Sequence, residues 1–230
     1  MGVHAGAVAL TGGDALLLAT PSGFASLRGG TLSTVVEVPN PDRFNDGKCD
    51  PAGRFLAGTI APEGEAALHR LDPDLTTTEL LSGLTVSNGL AWSPDGATLY
   101  HADTPTHRID AYAYDVASGS LGPRRSLVEI PDHQGAPDGM TVDADGCVWV
   151  ALWGGGAVHR YTPDGRLDRR IETPVAKPSS VAFGGPGLTT LFITSAGGPS
   201  DPGNPLGGAL FAVDPGVTGL PAHRFAGELP

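Results

Sequence analysis

The sequence predicts an all-β fold, a β-propeller built from repeated sheets, on three observations. Turn glycines recur at Gly13, Gly53, Gly96, Gly146 and Gly187, at intervals of 40, 43, 50 and 41 residues. A period of that size with several strands per repeat is the signature of propeller blades. Each glycine is followed by a short apolar run, and no long helical periodicity occurs. The 34 Gly and 21 Pro fall between these runs, where they punctuate turns.

One repeat reads as follows. An inner strand comes first, as in Gly89–Trp92 and Met140–Asp143. A tight turn follows, as in Asp50-Pro-Ala-Gly53, Ser93-Pro-Asp-Gly96 and Asp143-Ala-Asp-Gly146. A second strand runs through Arg54–Ala57, Thr98–His101, Cys147–Val150 and Leu191–Thr194. A third is carried by Arg108–Tyr114 and Ala157–Tyr161. Trp92, Tyr100 and Trp149 are expected to fill the layers between blades. About five blades are expected in one propeller domain over residues 1–230. The first repeat begins close to Met1, so the ring is expected to be incomplete at its N-terminal side, with an open edge beside the first blade. The tail from Gly216 to Pro230 is expected to add at most one strand.

The net charge of −11 disfavours nucleic acid and anionic membranes as partners. Cys49 and Cys147 sit in strand-like segments and are expected to be buried free thiols. The first ten residues lack a basic start and a long apolar core, and no apolar run reaches membrane-spanning length. A cytoplasmic location is expected. No pair among the seven histidines has metal-ligand spacing. Ser195 lies outside a Gly-x-Ser-x-Gly elbow, which disfavours a serine hydrolase.

Counting back eight residues from each turn glycine reaches Ala5, Asn45, Asn88, Asp138 and Ser179. Two settings are nearly the same, Ser87-Asn88-Gly89-Leu90 and Pro137-Asp138-Gly139-Met140. An Asn-Gly or Asp-Gly pair is first a turn signal. In a rotational repeat, however, equivalent positions face one axis. Asn45, Asn88 and Asp138 are therefore expected to converge at one end of a central channel, where oxygen donors suit a hard cation.

Several segments, in this order and at these intervals, resemble the regucalcin/gluconolactonase (senescence marker protein) family of six-bladed propeller lactonases. They are Arg43-Phe-Asn-Asp-Gly-Lys48, Asp50-Pro-Ala-Gly-Arg54, Ala57-Gly-Thr59 and Val86–Gly96, then Pro137–Met140, Trp149–Gly156 and Ala182–Gly185. The resemblance implies a divalent-metal-dependent hydrolase that opens sugar lactones at the channel mouth. It implies one cation, Ca2+ or Zn2+, with Mg2+ or Mn2+ also accommodated. It carries the metal ligands onto Asn88 and Asp138, and substrate contacts onto Arg43, Asn45 and Glu63. The family's third ligand, a Glu, belongs to a segment that would precede Met1. Asp138 is the candidate general base as well as a ligand. Arg43 offers a planar fork of donors, Asn45 can bond a hydroxyl and Glu63 can accept one. Lys48 is read as a structural partner of the Asn-Asp-Gly loop. The alternative is a non-catalytic propeller that binds calcium or a partner.

Overall fold

A computed structural model describes residues 3–39, 42–198 and 202–230. Among these residues all regular structure is strand, apart from three single turns of 3-10 helix at Thr104–Thr106, Asp132–Gln134 and Pro186–Leu188. Among the described residues no helix is long and apolar enough to cross a membrane.

The strands form five antiparallel sheets, each running in chain order, which are blades of the propeller type. The first holds β1 (Ala7–Leu10), β2 (Leu16–Thr20), β3 (Gly23–Arg28) and β4 (Thr31–Glu37). The second holds β5 (Arg43–Cys49), β6 (Phe55–Ile60), β7 (Ala66–Leu71) and β8 (Thr77–Leu84). The third holds β9 (Ser87–Trp92), β10 (Thr98–Asp103), β11 (Arg108–Asp115) and β12 (Ser120–Glu129). The fourth holds β13 (Ala136–Val142), β14 (Val148–Trp153), β15 (Ala157–Tyr161) and β16 (Leu167–Glu172). The fifth has three strands, β17 (Pro178–Gly184), β18 (Thr190–Ser195) and β19 (Phe211–Val213).

The chain divides into two compact units. One contains residues 1–88, 113–122 and 222–230; the other contains 89–112 and 123–221. In the first, Leu17, Phe24, Phe44, Phe55, Leu71 and Phe225 form a buried cluster, with Phe24 and Phe44 rings 5.0 Å apart. Phe225 reaches it from the C-terminal tail, bridging Thr11 in parallel and donating its N–H to the Leu10 carbonyl. The tail thus adds isolated bridges, within the limit of one strand expected of it. β1 is the terminal strand of its sheet and leaves Val8 and Leu10 exposed.

In the second unit, β14 shows how one strand serves two cores. Val148, Val150 and Leu152 enter a cluster with Tyr100, Ile109, Val128 and Met140, while Trp149 and Ala151 enter another with Val158, Val181 and Ile193. That is the period-two burial of a strand covered on both faces. Trp149 and Tyr100 fill the layers as the sequence suggests, and Trp92 is also buried.

The turn glycines do the work expected at three of the repeats. Gly53, Gly96 and Gly146 have φ of 82°, 73° and 82°, and each donates its N–H to the carbonyl three residues back. That conformation costs glycine nothing.

In the first and third of these turns a buried aspartate holds the structure together. Asp50 Oδ1 accepts the Ala52 and Arg54 N–H groups, and its Oδ2 accepts Arg54 Nη1 and the Tyr114 hydroxyl, at 2.6–3.0 Å. Asp143 repeats the pattern: Oδ1 accepts from Asp145 and Cys147, and Oδ2 accepts from Trp149 Nε1 and Arg160 Nε. Both carboxylates are fully buried and fully paired. Arg54 also donates to the Val116 and Ala117 carbonyls, and Arg70 to those of Ser118 and Gly119. Two arginines of the second sheet therefore grip the β11–β12 hairpin.

Candidate functional site

The inner strands begin earlier than the sequence reading placed them. β9 starts at Ser87 and β13 at Ala136, so Asn88 and Asp138 lie within strands, not in turns ahead of them. At β13 this goes with irregular pairing, which two other inner strands share. In β5–β6 the register shifts between Phe44 and Gly47, across Asn45 and Asp46. In β13–β14 it shifts between Pro137 and Met140, across Asp138 and Gly139. In β17–β18 it shifts between Pro178 and Ser180, across Ser179. Such bulges let the strand continue while one side chain is re-aimed. Three of the five positions marked by the eight-residue offset thus coincide with bulges.

The first unit assembles a hydrogen-bonded chain. Arg43 Nη1 donates to the Phe44 carbonyl at 3.1 Å and to Asn45 Oδ1 at 3.2 Å. Asn45 Nδ2 donates to the Ser87 carbonyl at 3.0 Å. The Asn45 amide is therefore oriented by two partners, oxygen to the guanidinium and nitrogen to the residue before Asn88. Asn88 itself is 7% exposed. Glu63 is exposed in the β6–β7 turn. Because Arg43 pairs with Ile60, that turn lies at the Arg43 end of the sheet. It is tied to the run leading into Asn88: Ala61 N–H donates to the Thr85 carbonyl, Gly64 N–H to Thr85 Oγ1, and Ile60 bridges Val86. The structure thus brings Arg43, Asn45, the Glu63 turn and the Ser87-Asn88 run to one end of the second sheet.

Close backbone approach explains the glycines of the motifs. A Cβ on Gly58, the middle residue of Ala57-Gly-Thr59, would collide with the Ser87 side chain. Asp138 belongs to the second unit and is half-buried on β13. The preceding Pro137 carbonyl accepts Thr104 Oγ1 at 2.8 Å. A Cβ on Gly89 would collide with the Asp138 carbonyl, and one on Gly139 with Ser180. The glycines after Asn88 and Asp138 are therefore packing residues of an inner strand, not turn residues.

Sequence reasoning gave Asp46 no role, since a carboxylate inside a turn-like Asn-Asp-Gly run looks solvated. Here it sits on β5 with Oδ1 accepting the Gly47 N–H. Burial pushes the Asp46 carboxyl up and the Lys48 ammonium down, each opposed by the charge of the other. Lys48 is thereby the partner of this loop that the sequence suggested.

The donor chemistry bears on which metal the chain could hold. Burial pushes the Cys49 thiol up to about 12 and raises that of Cys147, so neither supplies a thiolate at neutral pH. Among the described residues no group of three or more His, Cys, Asp and Glu side chains could hold a metal ion. Asn88 and Asp138 offer oxygen donors alone, which fits a hard divalent cation.

Comparison with known proteins shows the family of the chain. Residues 1–197 match the SMP-30/Gluconolactonase/LRE-like region. A pentonolactonase of Haloferax volcanii is 41% identical over 196 residues, 81% of this chain and 67% of that protein. Regucalcin of Xenopus laevis is 36% identical, over 96% of this chain and 81% of its own length. The crystal structure of a calcium-binding regucalcin from Agrobacterium tumefaciens superposes with a TM-score of 0.90 at 28% identity, covering 98% of this chain and 80% of the other. The chain belongs to the SMP-30/gluconolactonase/LRE-like family.

Proposed function

We propose that the protein is a divalent-metal-dependent lactonase that opens a small sugar lactone at the mouth of a propeller channel. The observation that carries this reading is the Arg43–Asn45–Ser87 chain, which presents oriented donors beside buried Asn88. Membership of a family that includes a pentonolactonase supports the same chemistry. We read the five sheets as blades of a six-bladed type of ring.

Asn88 and Asp138 would hold the cation, Ca2+ or Zn2+, with Mg2+ or Mn2+ as further fits. When bound, such an ion polarises a carbonyl oxygen and makes a nearby water more acidic. Asp138 takes the proton of the attacking water as general base. The guanidinium of Arg43 donates to hydroxyl or carbonyl oxygens of the ring. Asn45, with its amide already fixed, adds a bond to a ring hydroxyl, and the Glu63 carboxylate accepts one. Opening the ester breaks the acyl C–O bond, and the ring oxygen leaves as a hydroxyl after taking a proton. The product is an aldonate.

The test is hydrolysis of pentono- and gluconolactones, followed by pH-stat, with each divalent ion and after chelation. Loss of the rate on chelation and its return with metal support the mechanism. A rate indifferent to chelation contradicts it. Saturable calcium binding without turnover would favour the binding-protein alternative.

A further inference from the structure

Ser179 shares the eight-residue offset of Asn45, Asn88 and Asp138, yet nothing above gives it a role. It occupies the bulge of β17 as Asp138 occupies that of β13. The two bulges are neighbours in one unit, because Gly139 abuts the Ser180 side chain without room for a Cβ. Ser179 Oγ lies 2.9 Å from Thr194 Oγ1, which also contacts the Ser180 carbonyl at 3.4 Å. If Thr194 donates its proton to that carbonyl, the Ser179 proton goes to Thr194. The Ser179 oxygen then keeps two lone pairs for an incoming hydroxyl donor. Thr194 is exposed and Ser179 half-buried, so a solute can reach the pair.

Among the described residues neither hydroxyl hydrogen-bonds to a histidine or a carboxylate, so no base there makes the pair a nucleophile. Its chemistry is recognition. Two further side chains lie at the same end of these strands. Lys177, one residue before β17, sets its Nζ 5.2 Å from the centroid of the Trp153 ring. Trp153 pairs with Ala136, two residues before Asp138. The same end of these strands therefore combines a hydroxyl pair with an aromatic surface, which suits the mixed O–H and C–H faces of a sugar ring.

We propose that Ser179 and Thr194 form a subsite that recognises a hydroxyl of a polyhydroxylated ring, one sheet beyond Asp138. The proposal rests on the lactonase reading for its substrate class. The experiment compares kcat/KM for a pentonolactone and for an unsubstituted lactone of the same ring size. Parent, Ser179→Ala and Thr194→Val proteins are measured, with folding checked by thermal melts. Each variant is expected to lower the preference for the hydroxylated substrate by about fivefold to tenfold, the size of one lost hydrogen bond. An unchanged preference overturns the subsite, whatever the absolute rates. If the parent hydrolyses neither lactone, the lactonase reading fails, and the subsite is read from binding of xylose, a cyclic polyol, by titration calorimetry. Weaker binding to Ser179→Ala then supports it. Equal binding, or none to the parent, overturns it.

Discussion

Gly89 and Gly139 each follow a candidate ligand or bulge residue, and each presses its backbone on the next inner strand. Replacing either by alanine forces a Cβ into backbone or side-chain atoms and should destabilise the protein by roughly 1–3 kcal/mol, read as a lower urea midpoint. An unchanged midpoint would show that the inner strands have slack. Histidine makes a second point at this scale. His159 is 1% exposed, its Nδ1 2.8 Å from the Tyr161 hydroxyl, and burial lowers its pKa to about 4. An unfolded histidine titrates near 6.5, so the unfolded chain binds this proton first. Stability from this group is full above about pH 6.5 and is lost as pH falls towards 4. His101, also buried, is lowered to about 4 and acts in the same direction. Replacing His159 by Phe should shrink the difference between urea midpoints at pH 7.5 and pH 5. A difference as large as the parent's would assign the acid sensitivity to other groups.

At the scale of elements, the buried aspartates of the tight turns matter more than the turns themselves. Asp143→Ala would leave Arg160 Nε, the Trp149 N–H and two backbone amides without their acceptor, while Arg160 keeps Asp145 and Asp168. Each buried donor left without its acceptor costs about 1–3 kcal/mol, so a thermal melt should shift by many degrees. A shift of only a degree or two would mean that water replaces the carboxylate. These turns were legible in the sequence because Asp-x-x-Gly dictates both conformation and chain direction. Strand identity was legible too, since alternating apolar runs such as Cys147–Val150 have one stable solution. The third strand Ala157–Tyr161 was found to the residue. The starts of the inner strands were not legible. A bulge is set by pairing with the neighbouring strand, so Asp138-Gly139 reads locally as a turn, and Asn88-Gly89, inside β9, reads the same way. The partly buried setting of Asp46 and the Ser179–Thr194 contact depend on strand pairing in the same way.

At the scale of the whole molecule, an acidic chain with five related sheets offers polar side chains at one repeated position. The offset of those positions was legible without any structure, because a tandem repeat preserves register. Roles within the site divide by chemistry. Arg43→Ala removes hydrogen-bond donors while leaving Asn88 and Asp138 intact. It should raise KM about tenfold or more with a smaller fall in kcat, measured on a pentonolactone. An equal fall in kcat with KM unchanged would instead place Arg43 at the transition state. The most direct measurement is the initial rate of pentonolactone opening by Asp138→Ala against the parent, each saturated with the metal that best supports the parent. Loss of a ligand and of the proton acceptor together predicts a fall of at least about a hundredfold, with the fold retained by circular dichroism. A variant that kept a rate near the parent's would contradict the assignment of Asp138 as metal ligand and general base, and with it the proposed mechanism.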